Sequence, residues 1–416
     1  MRILTVVRGL GVGGMERAAE VFTLGYRDAG HEVAVLNLGS AGSREVALQR
    51  EAVAVFRALD DAERFDPQVV HIHRRGQADE AESVVLRRLR TRRRRVLETN
   101  VFAWADYSAA GRLIDVHLQL SRWCLWVWRR RLGRDAPAVV VPYPLQAGRF
   151  RRAEPDVIAA FRQRWTPGAT FVCGRVGQPF PGKWHAANIR AFVPLARRDP
   201  NAWLLLIGLP ENLRPVIASL PADIKRRIRE LPMTSSDAEL SLFYSALDCF
   251  LHAANQGESF GYVLAEAMAC GCPVVTVSLP TRDNSQVEVV GHLQGGLVAG
   301  SFETLSDALL QLWEEAALRR RIAERCRERI LQICDANLVV ARALRVAEIA
   351  LAHENERALL EALAAEKDLV TSVTDEEIYA LATNVHGEPR GLRWLKLANS
   401  YFVHRAQQLA RRALRR

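Results

Sequence analysis

Two glutamates, Glu258 and Glu266, stand eight positions apart in a stretch whose residue types could bind a ligand. Residues 263–269 are apolar helix formers, and residues 273–277 read as a short buried strand. This order predicts a loop carrying Glu258, a helix carrying Glu266 about two turns from its start, and then a strand. The N–H groups at the start of a helix attract anions. An anion site flanked by two hydroxyl-binding carboxylates suits a sugar nucleotide, with the diphosphate in the middle and ribose and sugar on either side.

The segment 258–275, ESFGYVLAEAMACGCPVV, resembles the Glu-x7-Glu region of the family 4 retaining glycosyltransferases. The resemblance covers both glutamates, the Phe-Gly after the first, the Glu-Ala-Met-Ala at the second and the Pro-Val-Val beyond. It implies the GT-B fold, an α/β architecture of two Rossmann-like, doubly wound parallel-sheet domains that face a central cleft. It also implies transfer of a sugar from a nucleotide diphosphate to an acceptor hydroxyl with retained configuration. Glu266 would then bind the ribose hydroxyls and Glu258 the sugar hydroxyls, and neither would act as a nucleophile.

The same resemblance implies the rest of the donor site. Arg175 and Lys183 stand where relatives have two cations that hold the donor diphosphate, so the expected catalytic residues are Arg175, Lys183 and Glu258. The relatives' Gly-Gly-x-x-Glu segment is replaced here by Asn284-Ser285 followed by Glu288. The expected donor-binding residues are Gly13, Gly14, Ser259, Phe260, Gly261, Glu266, Asn284 and Glu288.

The first half opens with a predicted strand at residues 3–7, a glycine loop, a helix at 15–29 and a strand at 31–36. This order could pass for a dinucleotide-binding fingerprint, but no Asp or Glu ends the second strand to bind an NAD ribose. The Gly13-Gly14 loop and the later segment Ala29-Gly30-His31-Glu32-Val33, which runs into the second strand, instead resemble the amino-terminal signature of family 4. In that family the glycine loop lies beneath the donor diphosphate.

Two polar residues at strand ends are candidate contacts for the sugar or the acceptor. His73 ends a predicted strand at residues 66–73, and Asn100 ends another at 95–100. Many relatives carry a histidine near the position of Asn100 that contacts the transferred sugar. Asparagine can hydrogen-bond but cannot titrate, so we expect polar positioning there rather than proton transfer. A lone histidine at a strand end is more often structural than ligand-binding, so both interpretations of His73 stay open.

The length of 416 residues suits two domains with additional elements. We expect an acceptor-side domain at residues 1–150 and a nucleotide-sugar-binding domain at 168–335. A helix at 336–353 would cross back to the first domain, as the terminal helix of GT-B enzymes does. Residues 354–416 would form a basic helical tail.

The net charge of +10 is concentrated in two places. Between residues 386 and 416, eight basic residues and one acidic residue give +7, and residues 92–95 are four arginines. Such patches attract the phosphates of lipid head groups, nucleic acids or an anionic acceptor. The aromatic and aliphatic residues interleaved in the tail suit an interfacial helix at an anionic membrane. Packing against the first domain or a dimer contact would explain the same pattern.

Two further functions remain open at this stage. A nucleic-acid-binding protein could use the arginine run and the tail, with Trp394 and Tyr401 stacking on bases, although no nucleic-acid-binding motif accompanies them. A GT-B scaffold without catalysis would be compatible with the replacements at Asn100 and Asn284.

We expect no cofactor and no metal, because no Asp-x-Asp cluster is present to hold one. The seven cysteines read as buried free thiols of a reducing cytoplasm. No apolar run reaches the ~18 residues that span a bilayer, and the first residues lack the pattern of a signal peptide. The expected partners are a nucleotide-sugar donor and a saccharide or lipid-linked acceptor, in surface polysaccharide, lipid-linked saccharide or glycolipid synthesis. The expected location is the cytoplasm, including its membrane face, and the sequence does not indicate an oligomeric state.

Overall fold

The computed structural model describes residues 1–413, so Arg415 and Arg416 of the basic tail lie outside the described residues. The chain divides into two compact units. The first comprises Met1–Pro144, Cys334–Ile378 and the chain from Leu395 on, and the second comprises Leu145–Ile333 and Tyr379–Trp394.

The first unit is built on a seven-stranded parallel sheet in the order β3-β2-β1-β4-β5-β6-β7. Its strands are β1 (Arg2–Gly9), β2 (Glu32–Ser40), β3 (Ala54–Phe56), β4 (Val69–Arg74), β5 (Arg95–Asn100), β6 (Val116–Gln119) and β7 (Ala138–Val140). Every residue of β4, β5 and β6 is buried, as expected for central parallel strands covered on both faces. The strand order reverses between β1 and β4, and ligands of such sheets bind at the carboxyl ends of the strands beside this reversal.

Five helices of the first unit connect these strands. They are α1 (Gly14–Asp28), α2 (Ser43–Arg50), α3 (Leu59–Arg64), α4 (Glu80–Leu89) and α5 (Arg122–Leu132), with a 3-10 turn at Gly111–Leu113. Leu86 and Leu89 of α4 pack into a core with apolar residues of β1, β4 and β5. A capping box of Asp79 and Glu82 starts α4. The predicted strand, helix and strand at the start of the chain are confirmed as β1, α1 and β2.

The second unit contains a six-stranded parallel sheet in the order β10-β9-β8-β11-β13-β15, and a separate pair, β12 and β14. The strands are β8 (Phe171–Val176), β9 (Ala202–Ile207), β10 (Ile228–Leu231), β11 (Cys249–Leu251), β12 (Gly257–Glu258), β13 (Val274–Val277), β14 (Asp283–Asn284) and β15 (Gly296–Ala299). Here the strand order reverses between β8 and β11. The prediction of two doubly wound parallel sheets is therefore confirmed.

Ten helices belong to this part of the chain. They are α6 (Pro155–Trp165), α7 (Ala187–Arg190), α8 (Phe192–Arg198), α9 (Arg214–Ala218), α10 (Ala222–Lys225), α11 (Asp237–Ser245), α12 (Tyr262–Ala269), α13 (Gln286–Val290), α14 (Leu305–Glu314) and α15 (Ala316–Cys334), with 3-10 turns at Pro181–Lys183 and Glu211–Leu213. The second unit begins at Leu145 rather than at 168, because Arg162 of α6 donates to the Ala246 carbonyl (2.8 Å) and pairs with Asp248 (2.5 Å).

The remaining helices are α16 (Ala336–Ala352), α17 (Glu356–Ala365), α18 (Asp375–Thr383), α19 (Leu395–Ala398) and α20 (Tyr401–Ala413), with a 3-10 turn at Leu392–Trp394. α16 lies in the first unit, where Arg95 Nε donates to the Ala350 carbonyl (2.7 Å). The segment 379–394 instead joins the second unit, where His386 bridges Ala299 at the edge of β15. No helix within residues 1–413 is long and apolar enough to cross a membrane.

The arginine run at residues 92–95 is only partly available as a basic patch. Arg95 is buried by its bond to α16, and Arg94 pairs with Asp66 (2.9 Å). Arg92 and Arg93 are exposed. Half of the run therefore stabilises the first unit, which weakens the nucleic-acid interpretation of this segment.

Candidate active site

Glu258 lies on β12, beside the strand reversal of the second sheet, and its backbone is held by the loop that starts at β14. Its N–H donates to Oε1 of Gln286 (3.1 Å), and its carbonyl accepts from the N–H of Ser285 (2.9 Å). Gly257 before it has a φ of +72°, and a Cβ there would lie 1.7 Å from the Asp283 carbonyl oxygen. Only glycine fits this turn, so the backbone of the loop fixes where the Glu258 side chain emerges.

The carboxylate of Glu258 contacts a cation on one oxygen and a histidine on the other. Lys183 Nζ lies 2.8 Å from Oε2, and His252 Nε2 lies 3.2 Å from Oε1. The Glu258 side chain is 6% exposed and that of Lys183 is 37% exposed, so the lysine remains accessible to a ligand. Burial raises the pKa of the Glu258 carboxyl, but Lys183 and His252 outweigh burial and hold that pKa well below its usual range. Glu258 is therefore an anion at neutral pH.

His252 directly follows β11 and orients Glu258, a role that no sequence motif indicated. Its Nδ1 lies 3.1 Å from Oγ1 of Thr276 on β13. Burial, assisted by the nearby Arg175 cation, lowers the pKa of His252 to about 4, so the imidazole is neutral at pH 7. A carboxylate can only accept hydrogen bonds, so Nε2 carries the proton and Nδ1 accepts from the threonine hydroxyl.

Replacing His252 with alanine is expected to lower kcat by about tenfold, because one Glu258 oxygen loses its donor in a buried site. His252→Gln should recover most of this loss, since an amide can donate to the same oxygen. Initial rates of donor consumption give kcat and KM for both variants, with melting temperatures as a check of folding. Equal losses in the two variants, or no change in either, would contradict the positioning role.

Arg175 is the second-last residue of β8 and is 1% exposed, so it lies behind Lys183 rather than in solvent. Its guanidinium donates to the carbonyls of Val176 (2.5 Å) and Lys183 (2.7 Å), and it stacks over the ring of Trp184 at 5.0 Å. Burial lowers the pKa of Arg175 to about 10, which leaves it charged at neutral pH. Arg175 therefore holds the backbone of the lysine and places a second positive charge beneath the site.

The helix α12 begins four residues after Glu258. Ser259 and Phe260 are buried, and Gly261 caps the helix with a φ of +88°. A Cβ on Gly261 would lie 2.8 Å from Leu264 Cδ1 and 3.2 Å from Glu258 Cγ, so both the backbone angle and the space require glycine. The amino-terminal end of α12 carries partial positive charge and favours an anion beside Glu258.

Glu266 is the fifth residue of α12, so it lies little more than one turn from the helix start rather than the expected two turns. Its Oε2 accepts from the hydroxyl of Tyr244 on α11 (2.9 Å). The carboxylate is 4% exposed, and the tyrosine bond fixes its orientation. Tyr244 was not expected as a site residue, because nothing in the sequence of α11 marks it.

Asn284 and Glu288, expected to bind the donor, have different environments. Asn284 is fully buried: its Oδ1 accepts from the N–H of Leu279 (2.6 Å), and its Nδ2 donates to Ser278 Oγ (3.3 Å). These bonds shape the loop that holds the Glu258 backbone. The Asn284 side chain therefore affects the position of Glu258 through this loop. Glu288 is half-buried on α13, and its backbone carbonyl accepts from Arg329 (2.6 Å).

Gly13, Gly14, His73 and Asn100 belong to the first unit, whereas the residues around Glu258 belong to the second. Gly13 caps α1, and Gly14 is the first residue of that helix. A Cβ on Gly13 would lie 2.1 Å from Oε2 of Glu16, so the Glu16 carboxylate folds back over the helix start. A phosphate at this helix end would compete with that carboxylate.

His73 is the second-last residue of β4 and Asn100 is the last residue of β5, and both are fully buried. The His73 ring packs against His71 (centroids 4.2 Å apart) and Phe22, and burial lowers its pKa well below the usual value. Both ends of the Asn100 amide hydrogen-bond to the backbone of Trp104: Nδ2 donates to the carbonyl (2.9 Å), and Oδ1 accepts from the N–H (3.3 Å). The Asn100 amide thus closes the loop after β5.

A buried charge cluster in the first unit was missed by sequence reasoning. Arg74 Nε lies 2.6 Å from Glu98 Oε1, and Arg74 Nη1 donates to Asp106 Oδ2 (2.7 Å). His117 contacts the other oxygen of Glu98. Burial raises the pKa values of both carboxyls, but the Arg74 cation holds both below their usual range. The partners are distant in sequence, so no local pattern announces the cluster.

Residues 161–329 match the family model described as Glycosyl transferases group 1. The chain is 25% identical over 301 residues to the GDP-mannose-dependent alpha-mannosyltransferase of Mycobacterium tuberculosis (strain CDC 1551 / Oshkosh), covering 67% of this chain and 72% of that protein. It is 39% identical over 150 residues to the phosphatidyl-myo-inositol mannosyltransferase of Mycobacterium leprae (strain TN), covering 35% of this chain and 37% of that protein.

Solved structures match nearly over their whole length. A glycosyltransferase from Rickettsia africae ESF-5 superposes with a TM-score of 0.68 at 15% identity, covering 84% of this chain and 98% of that one. The Anabaena protein HepE in complex with UDP and glucose gives a TM-score of 0.67 at 18% identity, covering 84% and 99%. The chain therefore has the GT-B fold, and its residues 161–329 match the model of the group 1 glycosyltransferases.

Proposed function

We propose that this protein is a retaining glycosyltransferase that moves a sugar from a nucleotide-diphosphate sugar to an acceptor hydroxyl. The observation that carries the proposal is the Lys183–Glu258 ion pair (2.8 Å) at the amino-terminal end of α12. It places a cation for phosphate and a carboxylate for sugar hydroxyls side by side. The buried Glu266, fixed by Tyr244, supplies the second hydroxyl-binding carboxylate.

In the proposed reaction, the bond between the anomeric carbon and the β-phosphate oxygen breaks, and the nucleotide diphosphate leaves with the bonding electrons. Lys183, the buried charge of Arg175 and the start of α12 stabilise the growing negative charge, which is usually the largest catalytic contribution. The same three groups provide positive charge without a metal ion. We therefore expect chelation by EDTA to leave the rate unchanged.

The acceptor oxygen bonds to the anomeric carbon on the face that the phosphate leaves, and its proton passes to the departing phosphate oxygen. Glu258 is not assigned as a nucleophile, because Lys183 and His252 occupy both of its oxygens. We assign Glu258 to the sugar hydroxyls and Glu266 to the ribose hydroxyls. This differs from paired-carboxylate hydrolases, in which one carboxylate attacks the sugar or activates water.

The names of the relatives suggest which sugar donors and which acceptors to test first. One is named as GDP-mannose-dependent and another as a phosphatidyl-myo-inositol mannosyltransferase, whereas the Anabaena structure holds UDP and glucose. We propose GDP-mannose and UDP-glucose as first donors, and a saccharide or lipid-linked hydroxyl as acceptor. Surface polysaccharide, lipid-linked saccharide or glycolipid synthesis is the proposed setting.

Proton NMR of the first sugar product tests the proposal. With an α-linked donor, we expect an α-linked product, or α-configured free sugar when water accepts slowly and spectra are taken before mutarotation. The signal should persist in EDTA and disappear in Glu266→Gln, which removes the charge that binds ribose. A β-configured first product would overturn retention. Dependence on an added divalent cation would overturn the metal-free assignment.

A further inference from the structure

The helix α20 in the first unit presents its apolar side to solvent and its polar side to the protein. Gln408 Nε2 donates to the Ala105 carbonyl (2.7 Å), and His404 Nε2 accepts from the Ala105 N–H (3.4 Å). Both polar side chains are buried, whereas Phe402 is 81% exposed and Leu409 is 52% exposed. This arrangement inverts the usual pattern, in which the apolar stripe of a helix faces the core.

The exposed side of α20 forms a continuous apolar stripe. Phe402, Ala406, Leu409 and Ala413 follow one another at helical spacing, and all four are exposed. Leu397 on the preceding α19 is a further exposed apolar residue, at 54%. A stripe with this spacing suits insertion at an apolar boundary and is unusual on a water-facing surface.

The charged residues of α19 and α20 are all basic, and one of them, Lys396, pairs with Asp375 (2.7 Å). Residues 395–413 contain four basic residues and no acidic one. Arg405 stacks over the ring of Tyr107 at 4.8 Å, and Arg411 stacks over the ring of Trp104 at 5.0 Å. Both arginines belong to α20, and their guanidinium groups are held next to half-buried aromatic rings of the 101–110 loop. Aromatic rings together with arginines are typical of the interface between water and lipid.

We propose that α20 is a docking helix for an anionic lipid surface, with Phe402 and Leu409 entering the head-group boundary. The excess positive charge favours an anionic bilayer over a second copy of this chain, because two such faces would repel one another. The inference does not depend on the proposed reaction. Docking would bring the first unit to a surface on which lipid-linked hydroxyls are presented.

Vesicle flotation of the full-length protein tests this inference. We expect binding to vesicles of phosphatidylcholine mixed with phosphatidylglycerol, weak binding to phosphatidylcholine alone, and loss of binding at high salt because exposed charges are screened. The double variant Phe402→Ser, Leu409→Ser should bind about tenfold or more weakly, since it loses most of the inserted apolar area. Arg405→Gln combined with Arg411→Gln should remove the preference for the anionic vesicles.

A matched control replaces two apolar residues of similar exposure on other helices, Val46→Ser and Val157→Ser, which are 47% and 48% exposed in the wild type. This control should bind vesicles like the wild type, and melting temperatures establish that every variant is folded. Unchanged vesicle binding in the Phe402, Leu409 variant would overturn the proposal. The proposal would also be overturned if light scattering showed a wild-type dimer that this variant dissociates, and if the wild type did not bind vesicles. Nucleotide binding measured on the same samples separates this outcome from a failure of the proposed function.

Discussion

Replacing Lys183 with methionine is expected to lower kcat/KM for sugar transfer by about 10²- to 10³-fold. The ammonium of Lys183 is the accessible cation of the site, and it neutralises the buried carboxylate of Glu258 at 2.8 Å. Its removal takes one charge away from the leaving diphosphate and leaves Glu258 without a counter-ion. Initial rates and nucleotide affinity, measured on the folded variant, give the size of both effects.

Two variants separate catalysis from stability at this pair. Lys225→Met removes another exposed lysine of the second unit and should leave the rate unchanged. The double variant Lys183→Met, Glu258→Gln removes both charges, so it should regain thermal stability relative to Lys183→Met without regaining activity. A Lys183→Met enzyme with rates near those of the wild type would contradict the assignment of this lysine to the diphosphate.

Replacing Arg74 with methionine is expected to lower the free energy of unfolding by about 3–5 kcal/mol, because it leaves two buried carboxylates without their cation. Glu98 and Asp106 are held below their usual pKa values by Arg74. In the variant these pKa values rise, so ionised carboxylates destabilise the folded state. The loss should therefore be larger at pH 8 than at pH 5, where protonation relieves the two groups.

Urea unfolding followed by tryptophan fluorescence measures the effect of Arg74→Met at both pH values. Arg88→Met serves as the control, since Arg88 pairs with Asp60 (2.8 Å) and Glu63 (2.5 Å) on the surface of the same unit. Exposed pairs contribute little, so the control should be close to the wild type at either pH. Equal effects of the two substitutions would show that the buried cluster does not stabilise the first unit.

The regular elements could be predicted because their signals are local. Alternating apolar strands and helices, interrupted by glycines, indicated two parallel sheets, and both are present. Arg175, Lys183 and Glu258 could be singled out because each lies in a family-like motif. The structure brings Lys183 and Glu258 into contact and places Arg175 behind them.

The contacts that orient these groups could not be predicted, because they join segments distant in sequence. His252 reaches Glu258 only after β11 and β13 pair, and Tyr244 reaches Glu266 only after α11 packs on α12. The same reason hid the cluster around Arg74. Asn284 was expected to face the donor, yet its amide is consumed by the loop that holds Glu258, since a buried amide must be satisfied by nearby partners.

The most direct test of the donor site is a thermal-shift titration of the wild type, Lys183→Met and Glu266→Gln with GDP, UDP and their sugar conjugates. A ligand that binds only the folded state raises the melting temperature with its concentration. We expect a shift with one nucleotide family in the wild type, and a strongly reduced shift in both variants. No shift with any nucleotide in folded wild-type protein, or an equal shift in all three proteins, would contradict the assignment of Lys183 and Glu266 to the donor.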